Sequence, residues 1–215
     1  MSEMTAKREA KRQRSIEEMR QALAPLMEEL CGIGYNVGSL DELRRSGKKY
    51  DSAIPTLLSW LPRISSTEAK ESIVRTLSVP WARPKAGPVL IREFERAPKE
   101  AEGLRWSIGN ALEVVAEPSL LEKLIEIVTN GENGKPREMV VLALSKIRDP
   151  RSVEVLIGLL DDEQVAGHAV MALRKLKAPQ ALHHLVKFAD HPRAWIRNEA
   201  KKAITIITKN EAAKL

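Results

Sequence analysis

One phrase recurs along this chain, and it constrains the fold more than any other feature. "DPRSVEVLIGLL" begins at Asp149 and "APQALHHLVKFA" begins at Ala178. Counting from the proline as zero, a Leu-Ile or Leu-Val pair falls at positions six and seven after Pro84 (Leu90, Ile91), Pro118 (Leu124, Ile125), Pro150 (Leu156, Ile157) and Pro179 (Leu185, Val186). A fifth copy, "DSAIPTLLSWL", has Asp51 in place of the proline and Leu57-Leu58 as the pair. The starting positions 51, 84, 118, 150 and 179 are separated by 33, 34, 32 and 29 residues, a period that signals a solenoid.

Each phrase is patterned as an amphipathic helix. Apolar residues fall at offsets three, six, seven and ten, as in Val153, Leu156, Ile157 and Leu160 or Leu121, Leu124, Ile125 and Val128. Proline is tolerated in a first turn, where its missing N–H would have no partner anyway. A second amphipathic stretch lies upstream. Ala111-Leu112, Ala143-Leu144 and Ala172-Leu173 stand seven and six residues before their prolines, with Val115, Ile147 and Leu176 three before. Thr76-Leu77 takes this place in the first copy and Ala203-Ile204 in a final half repeat. The small alanine lets two helices approach. The expected unit is helix, short turn, helix, and its apolar face is buried only by stacking on its neighbours. The composition, led by Ala, Leu, Ile, Val, Glu, Lys and Arg, favours helix over sheet.

The stretches "IRNEAKKAI" and "LRWSIGNAL", the latter followed by a proline-led helix, resemble the HEAT-repeat group, in particular its short bilin-lyase-type repeat. Repeats of that kind read as an apolar-Arg pair, an Ala-Leu step, an Asp-Pro turn and a Leu-rich second helix. Arg105 and Arg197 match the arginine, and Asp149-Pro150 matches the turn. Ala178 and Glu117 replace the aspartate elsewhere, and repeats three and four are read as lacking the arginine. The resemblance covers residues 50–207. It implies an all-α, right-handed α-solenoid of about five helical hairpins with second helices on the concave face. It specifies a fold rather than an activity.

The region before the repeats reads as a helical cap. "SIEEMRQALAPLMEELC" places Ile16, Met19, Leu23, Leu26, Met27 and Leu30 at helical spacing, with Ser15 and Glu18 as a capping box and Pro25 as a kink or break. "SLDELRRSG" has a second capping box, Ser39 with Glu42, and Gly47 as a stop. Lys7, Arg8, Lys11, Arg12 and Arg14 stand ahead of Ser15, at the positive end of a helix dipole, so this segment is expected to fray. The domain reading is therefore a basic frayed tail at 1–14, a helical cap at 15–48, and a repeat solenoid at 49–215 continuous with the cap.

Little in the chain suggests chemistry. Cys31 is the one cysteine, which excludes an internal disulfide and a zinc cluster and is expected to behave as a half-buried small hydrophobe. His168, His183, His184 and His191 fall in one repeat and its edge, but without metal-ligand spacing. The HEAT-like deoxyhypusine hydroxylases carry His-Glu dipeptides as iron ligands, and this chain contains none. HEAT-like alkylpurine DNA glycosylases use an aromatic cleft with Asp and Arg. Trp60, Trp81, Trp106 and Trp195 are scattered over different repeats and are expected in the core or at a groove edge. A phycobilin-lyase-like activity stays open through the repeat type alone. "GIGYNVG" reads as a turn rather than a phosphate loop. No catalytic residue, metal or cofactor is assigned. No signal peptide or apolar run of membrane-spanning length is present, and a cytoplasmic monomer is expected.

The expected surface is the outward side of the second helices, at offsets one, five and eight, where basic residues outnumber acidic ones. The candidate partner-binding residues are Thr56, Ser59, Trp60, Lys85, Arg92, Lys123, Glu126, Arg151, His184 and Lys187, with Glu93, Glu122, Glu154, His183 and Phe188 flanking. Mixed signs with exposed Val89 and Val155 point to a scaffold or adaptor that takes a protein or peptide in the concave groove. The formal net charge of +6, the basic tail and the row from Lys85 to Lys187 support nucleic acid as the alternative partner.

Overall fold

The computed structural model describes residues 3–213; residues 1 and 2 of the expected tail and residues 214 and 215 lie outside it. Among the described residues there are twelve α-helices and no strand. They are α1 (Glu3–Gly32), α2 (Leu40–Arg45), α3 (Ile54–Trp60), α4 (Thr67–Leu77), α5 (Ala86–Arg96), α6 (Glu102–Val115), α7 (Leu121–Thr129), α8 (Arg137–Leu144), α9 (Pro150–Gly158), α10 (Ala166–Leu176), α11 (Leu182–Val186) and α12 (Ala194–Ala212).

The helices fall into two layers. Each first helix packs on the next, α4 on α6, α6 on α8, α8 on α10 and α10 on α12. The second helices α3, α5, α7, α9 and α11 form the other layer. The recurring alanines Ala111, Ala143, Ala172 and Ala203 have no exposed surface, and neither do the pair leucines Leu57, Leu90, Leu124, Leu156 and Leu185. The chain is thus the all-α helical repeat solenoid that its period implies. Gly109 marks a close approach of α6 to α8, since a Cβ there would stand 2.9 Å from Met139 Cβ on α8 and 3.2 Å from the Pro136 carbonyl oxygen.

Several second helices are framed by 3-10 turns, at Asp51–Ala53, Pro118–Leu120 and Pro179–Ala181 before α3, α7 and α11, and at Leu159–Asp161 and Lys187–Asp190 after α9 and α11. These tighter turns shift the helix phase. Offset two is buried in every copy (Ala53, Ala86, Leu120, Ser152, Ala181), with or without such a turn before the helix, and offset nine carries buried Glu93, Ile127, Leu159 and Phe188. Offset seven lies at the margin, and Val186 is 57% exposed. The Pro84 copy departs further, because Pro84 sits in a turn and α5 begins at Ala86.

The expected arginine is a structural staple. Arg105 donates to the Asn133 carbonyl oxygen at 3.4 Å and to its side-chain oxygen at 2.5 Å, and lies 4.4 Å over the Phe94 ring. Arg197 donates to the His191 carbonyl oxygen at 2.8 Å. The third copy does carry the arginine: Arg137 stands six residues before Ala143, as Arg105 stands before Ala111. The apolar-Arg pattern hides it because proline precedes it. Arg137 is 1% exposed and donates to the carbonyl oxygens of Gly134 (3.0 Å) and Val128 (2.9 Å) and to Gln164 Oε1 (2.9 Å). Its Nη1 also stands 2.8 Å from Asp162 Oδ2. The arginine thus ties the end of α7, the following loop and the approach to α10 into one unit. In the first copy Lys70 takes the position and pairs with the buried Glu93. The fourth copy has Ala166 there and lacks the cation, as expected.

The cap differs from expectation in detail. Helix α1 runs unbroken from Glu3 through Pro25, so Ser15 is mid-helix and caps nothing. Leu23, Leu26 and Leu30 are buried, and α1 packs on α3 and α4. Residues 4–14 are exposed on all sides, so intrinsic propensity and local side-chain contacts such as Gln13 to Glu9 at 3.5 Å, rather than packing, hold that segment in helix. The second box forms in part: Ser39 Oγ caps α2 by accepting from the Glu42 N–H at 3.1 Å, while the Glu42 carboxylate reaches one residue further back and accepts from the Gly38 N–H at 2.7 Å. Gly47, at φ +68°, ends α2 in the left-handed conformation that only glycine adopts without penalty.

Candidate interaction surface

The second-helix layer presents a continuous surface from α5 to α11. At its α3 end the expected site is not free. Thr56 is buried, and Ser59 Oγ donates to the Thr56 carbonyl oxygen at 2.9 Å. Trp60 is half-buried and its indole N–H donates to Glu29 of α1 at 2.6 Å, while Arg63 lies 5.5 Å over the ring. Tyr35 and Ser52 share a 2.6 Å hydrogen bond that draws the loop after α1 over α3. The cap thus occupies the first copy, which is why these three residues line no open groove.

Lys85, Arg92, Lys123, Glu126, Arg151 and Lys187 are exposed, and His184 is half-buried with its ring 3.7 Å from that of His183. The centre of the exposed face is offset four rather than five, because the core lies at offsets two, six and nine. Glu122, Glu154 and His183 stand there, fully exposed, with Pro55 and Pro88 in the first two copies. Glu93 and Phe188, expected at the flanks, belong to the core instead.

Most of the basic row is paired. Lys123 lies 2.6 Å from Glu126, and that carboxylate raises the lysine's pKa. Arg151 bonds Asp149 at 3.1 Å and also pairs with Glu122 on α7, so its pKa is raised while that of Asp149 is held below the usual carboxylate range. Asp149 in addition accepts from the Arg151 backbone N–H at 2.9 Å, capping α9, which is the physical content of the Asp-Pro turn. Lys187 lies 2.6 Å from Asp161, whose pKa it lowers. Between these pairs lie half-buried Val89 and Val155 and the exposed Val186. The surface is a row of apolar side chains set among charges, of which Lys123, Arg151 and Lys187 are paired with carboxylates while Lys85, Arg92 and Glu154 form no ion pair among the described residues.

The histidines do not converge. His168 is half-buried on α10, 5.6 Å from the Trp195 ring and 4.0 Å from Glu138, and burial lowers its pKa. His191 stacks 5.9 Å from the Phe188 ring. Among the described residues no group of three or more His, Cys, Asp or Glu side chains could hold a metal ion. Cys31 is exposed rather than half-buried, and its thiol donates to Asn36 Oδ1 at 2.9 Å. Trp106 and Trp195, 46% and 42% exposed, lie on the first-helix layer, not at the edge of the second-helix surface. Among the described residues no helix is long and apolar enough to cross a membrane.

Residues 136–162 match the family model described as PBS lyase HEAT-like repeat. The matched stretch is α8 and α9, and the Arg137–Asp162 ion pair joins its two ends. No curated protein matches the sequence. The chain is an all-α helical repeat solenoid, and its α8–α9 unit is similar to a HEAT-like repeat.

Proposed function

We propose that this chain is a non-catalytic scaffold or adaptor of the cytoplasm that docks another protein on the second-helix surface between α5 and α11. The observation that carries the reading is the internal neutralisation of the basic row. A phosphate backbone is held by cations that release counterions on binding, and here it would compete with Glu126, Asp149, Glu122 and Asp161 for Lys123, Arg151 and Lys187. Exposed Glu122 and Glu154 at the centre of the face oppose it as well. Apolar side chains set among charges that are mostly paired suit a protein surface, where burying Val186, Val155 and Val89 supplies affinity and the charges set register.

Affinity capture of the tagged chain from its own cell lysate, with and without nuclease, tests this reading. Val186→Glu and the charge reversals Arg92→Glu and Lys187→Glu supply the face-specific controls. A stoichiometric protein partner that survives nuclease and is lost with the face variants is the expected result. Partners that vanish with nuclease, or that bind all three variants as tightly as the parent, contradict it.

A further inference from the structure

A second surface lies at the other end of the sequence, on elements that contribute nothing to the second-helix face between α5 and α11. Helix α1, α2 and α4 enclose a groove of about 420 Å³ lined by Ile16, Met19, Leu23 and Met27 of α1, Leu40 of α2 and Ser72 of α4. Leu23 is buried, Met19 and Met27 are half-buried, and Ile16 is 43% exposed where α1 leaves the body. The charges at the mouth are largely balanced, with Arg44 on Asp41 at 2.9 Å and Arg75 on Glu71 at 3.1 Å.

The same helical face continues beyond the groove and changes character. At 100° per residue, Arg8, Arg12, Ile16, Met19 and Leu23 fall within one arc of about 80°. The stripe is apolar along the body and becomes cationic where it projects from it. Lys7, Arg8, Lys11, Arg12 and Arg14 stand against Glu3 and Glu9 in this segment. Among the described residues Arg8, Lys11, Arg12 and Arg14 form no ion pair, in contrast to the paired row on the second helices. A second copy of the chain is a poor occupant, because it would set two such basic segments against each other. Nucleic acid would engage the cations but leave Ile16 and Met19 uncovered.

We propose that this composite surface docks an amphipathic acidic helix of another protein, with aliphatic side chains in the groove and carboxylates on Arg8 and Arg12. The mode is helix-in-groove recognition, with apolar anchors at i, i+3/i+4 and i+7. Fluorescence anisotropy on the full chain tests it with a labelled synthetic peptide of about 20 residues, a helix of about 30 Å, matching the stripe. Its leucines occupy one face and glutamates fill the other positions. A peptide of the same composition with the leucines scattered, and a single-stranded oligonucleotide of similar charge, serve as competitors. Ile16 and both arginines are exposed, so Ile16→Asp and Arg8→Glu/Arg12→Glu preserve the fold, which circular dichroism verifies. The patterned peptide binds at least about tenfold more tightly than the scattered one, and each variant loses about tenfold, as expected where charge and apolar contacts act together. Equal binding of the two peptides, insensitivity to Ile16→Asp, or tighter binding of the oligonucleotide overturns the proposal. None of these outcomes bears on the second-helix face, whose variants lie on α5, at the end of α11 and just after it.

Discussion

Arg137→Ala is the substitution from which the repeat architecture has most to lose. The guanidinium is buried and spends its donors on the Val128 and Gly134 carbonyl oxygens, on Gln164 Oε1 and on Asp162. Truncation leaves a carboxylate without its cation and two backbone acceptors without donors, and opens a void between α7 and α8. Removing one partner of a buried ion pair costs about 3–5 kcal/mol. Water reaching the partly exposed Asp162 side chain (29%) keeps the loss within that range rather than above it. Arg137→Lys keeps the charge but not the planar fork, so it cannot serve both carbonyls and Gln164 at once, and it loses about half as much. Equilibrium urea unfolding reads both values. For a chain of this size, 3–5 kcal/mol corresponds to a fall of roughly 6–20 °C in Tm. Hydrogen exchange locates the effect, because stability in a solenoid is a sum of nearest-neighbour contributions. Protection falls in α7, α8 and α10 while α3 and α4 keep theirs. An Arg137→Ala loss below about 1 kcal/mol, or a lysine no better than alanine, refutes the staple.

Leu156→Ala and Leu185→Ala, at fully buried pair positions, each cost about 2–5 kcal/mol in the same assay; a loss below about 0.5 kcal/mol would put the helix phase in error. Gly109→Ala lowers stability by about 1–3 kcal/mol in spite of its better helix propensity, because the new methyl meets Met139 and the Pro136 carbonyl oxygen; a stabilised variant would mean that α6 and α8 are not so close. The pH dependence isolates His168, whose folded pKa is depressed by burial. The neutral form is favoured in the fold, so this contribution is complete above the ordinary value of 6.5 and is lost as pH falls from there towards the folded pKa. His168→Gln therefore flattens the decline in urea midpoint below neutrality, and parallel curves for parent and variant would show that His168 contributes nothing.

The stacking order was legible because it depends on spacing, and spacing survives in a single sequence. The period, the pair leucines and the recurring alanines each specify a contact that every copy repeats. The phase of the second helices was less legible. Offset two is held by alanine in three copies and by Ser152 in another, residues too small or polar to mark an apolar stripe, yet it faces the core in every copy. The same phase buries Phe188 and Glu93 and puts Glu122 and Glu154 at the centre of the exposed face. Charge neutralisation was hidden for a different reason. Glu126 and Asp149 stand close to Lys123 and Arg151 in sequence, but the second partner of Arg151, Glu122, and the partner of Lys187, Asp161, lie 29 and 26 residues away on the preceding repeat, so that part of the neutralisation emerges only when the repeats are stacked. The six-residue offset linking Lys70, Arg105, Arg137 and Arg197 to the alanine step was available in the sequence and would have revealed the staple.

Site-specific photo-crosslinking in the native cell tests the central claim most directly. A photoreactive residue replaces Val186 on the second-helix layer in one version of the chain and Trp106 on the first-helix layer in another. The account predicts a discrete protein adduct from position 186 that persists after nuclease and is absent from position 106. Adducts to nucleic acid at 186, or the same protein adduct from both positions, would contradict it.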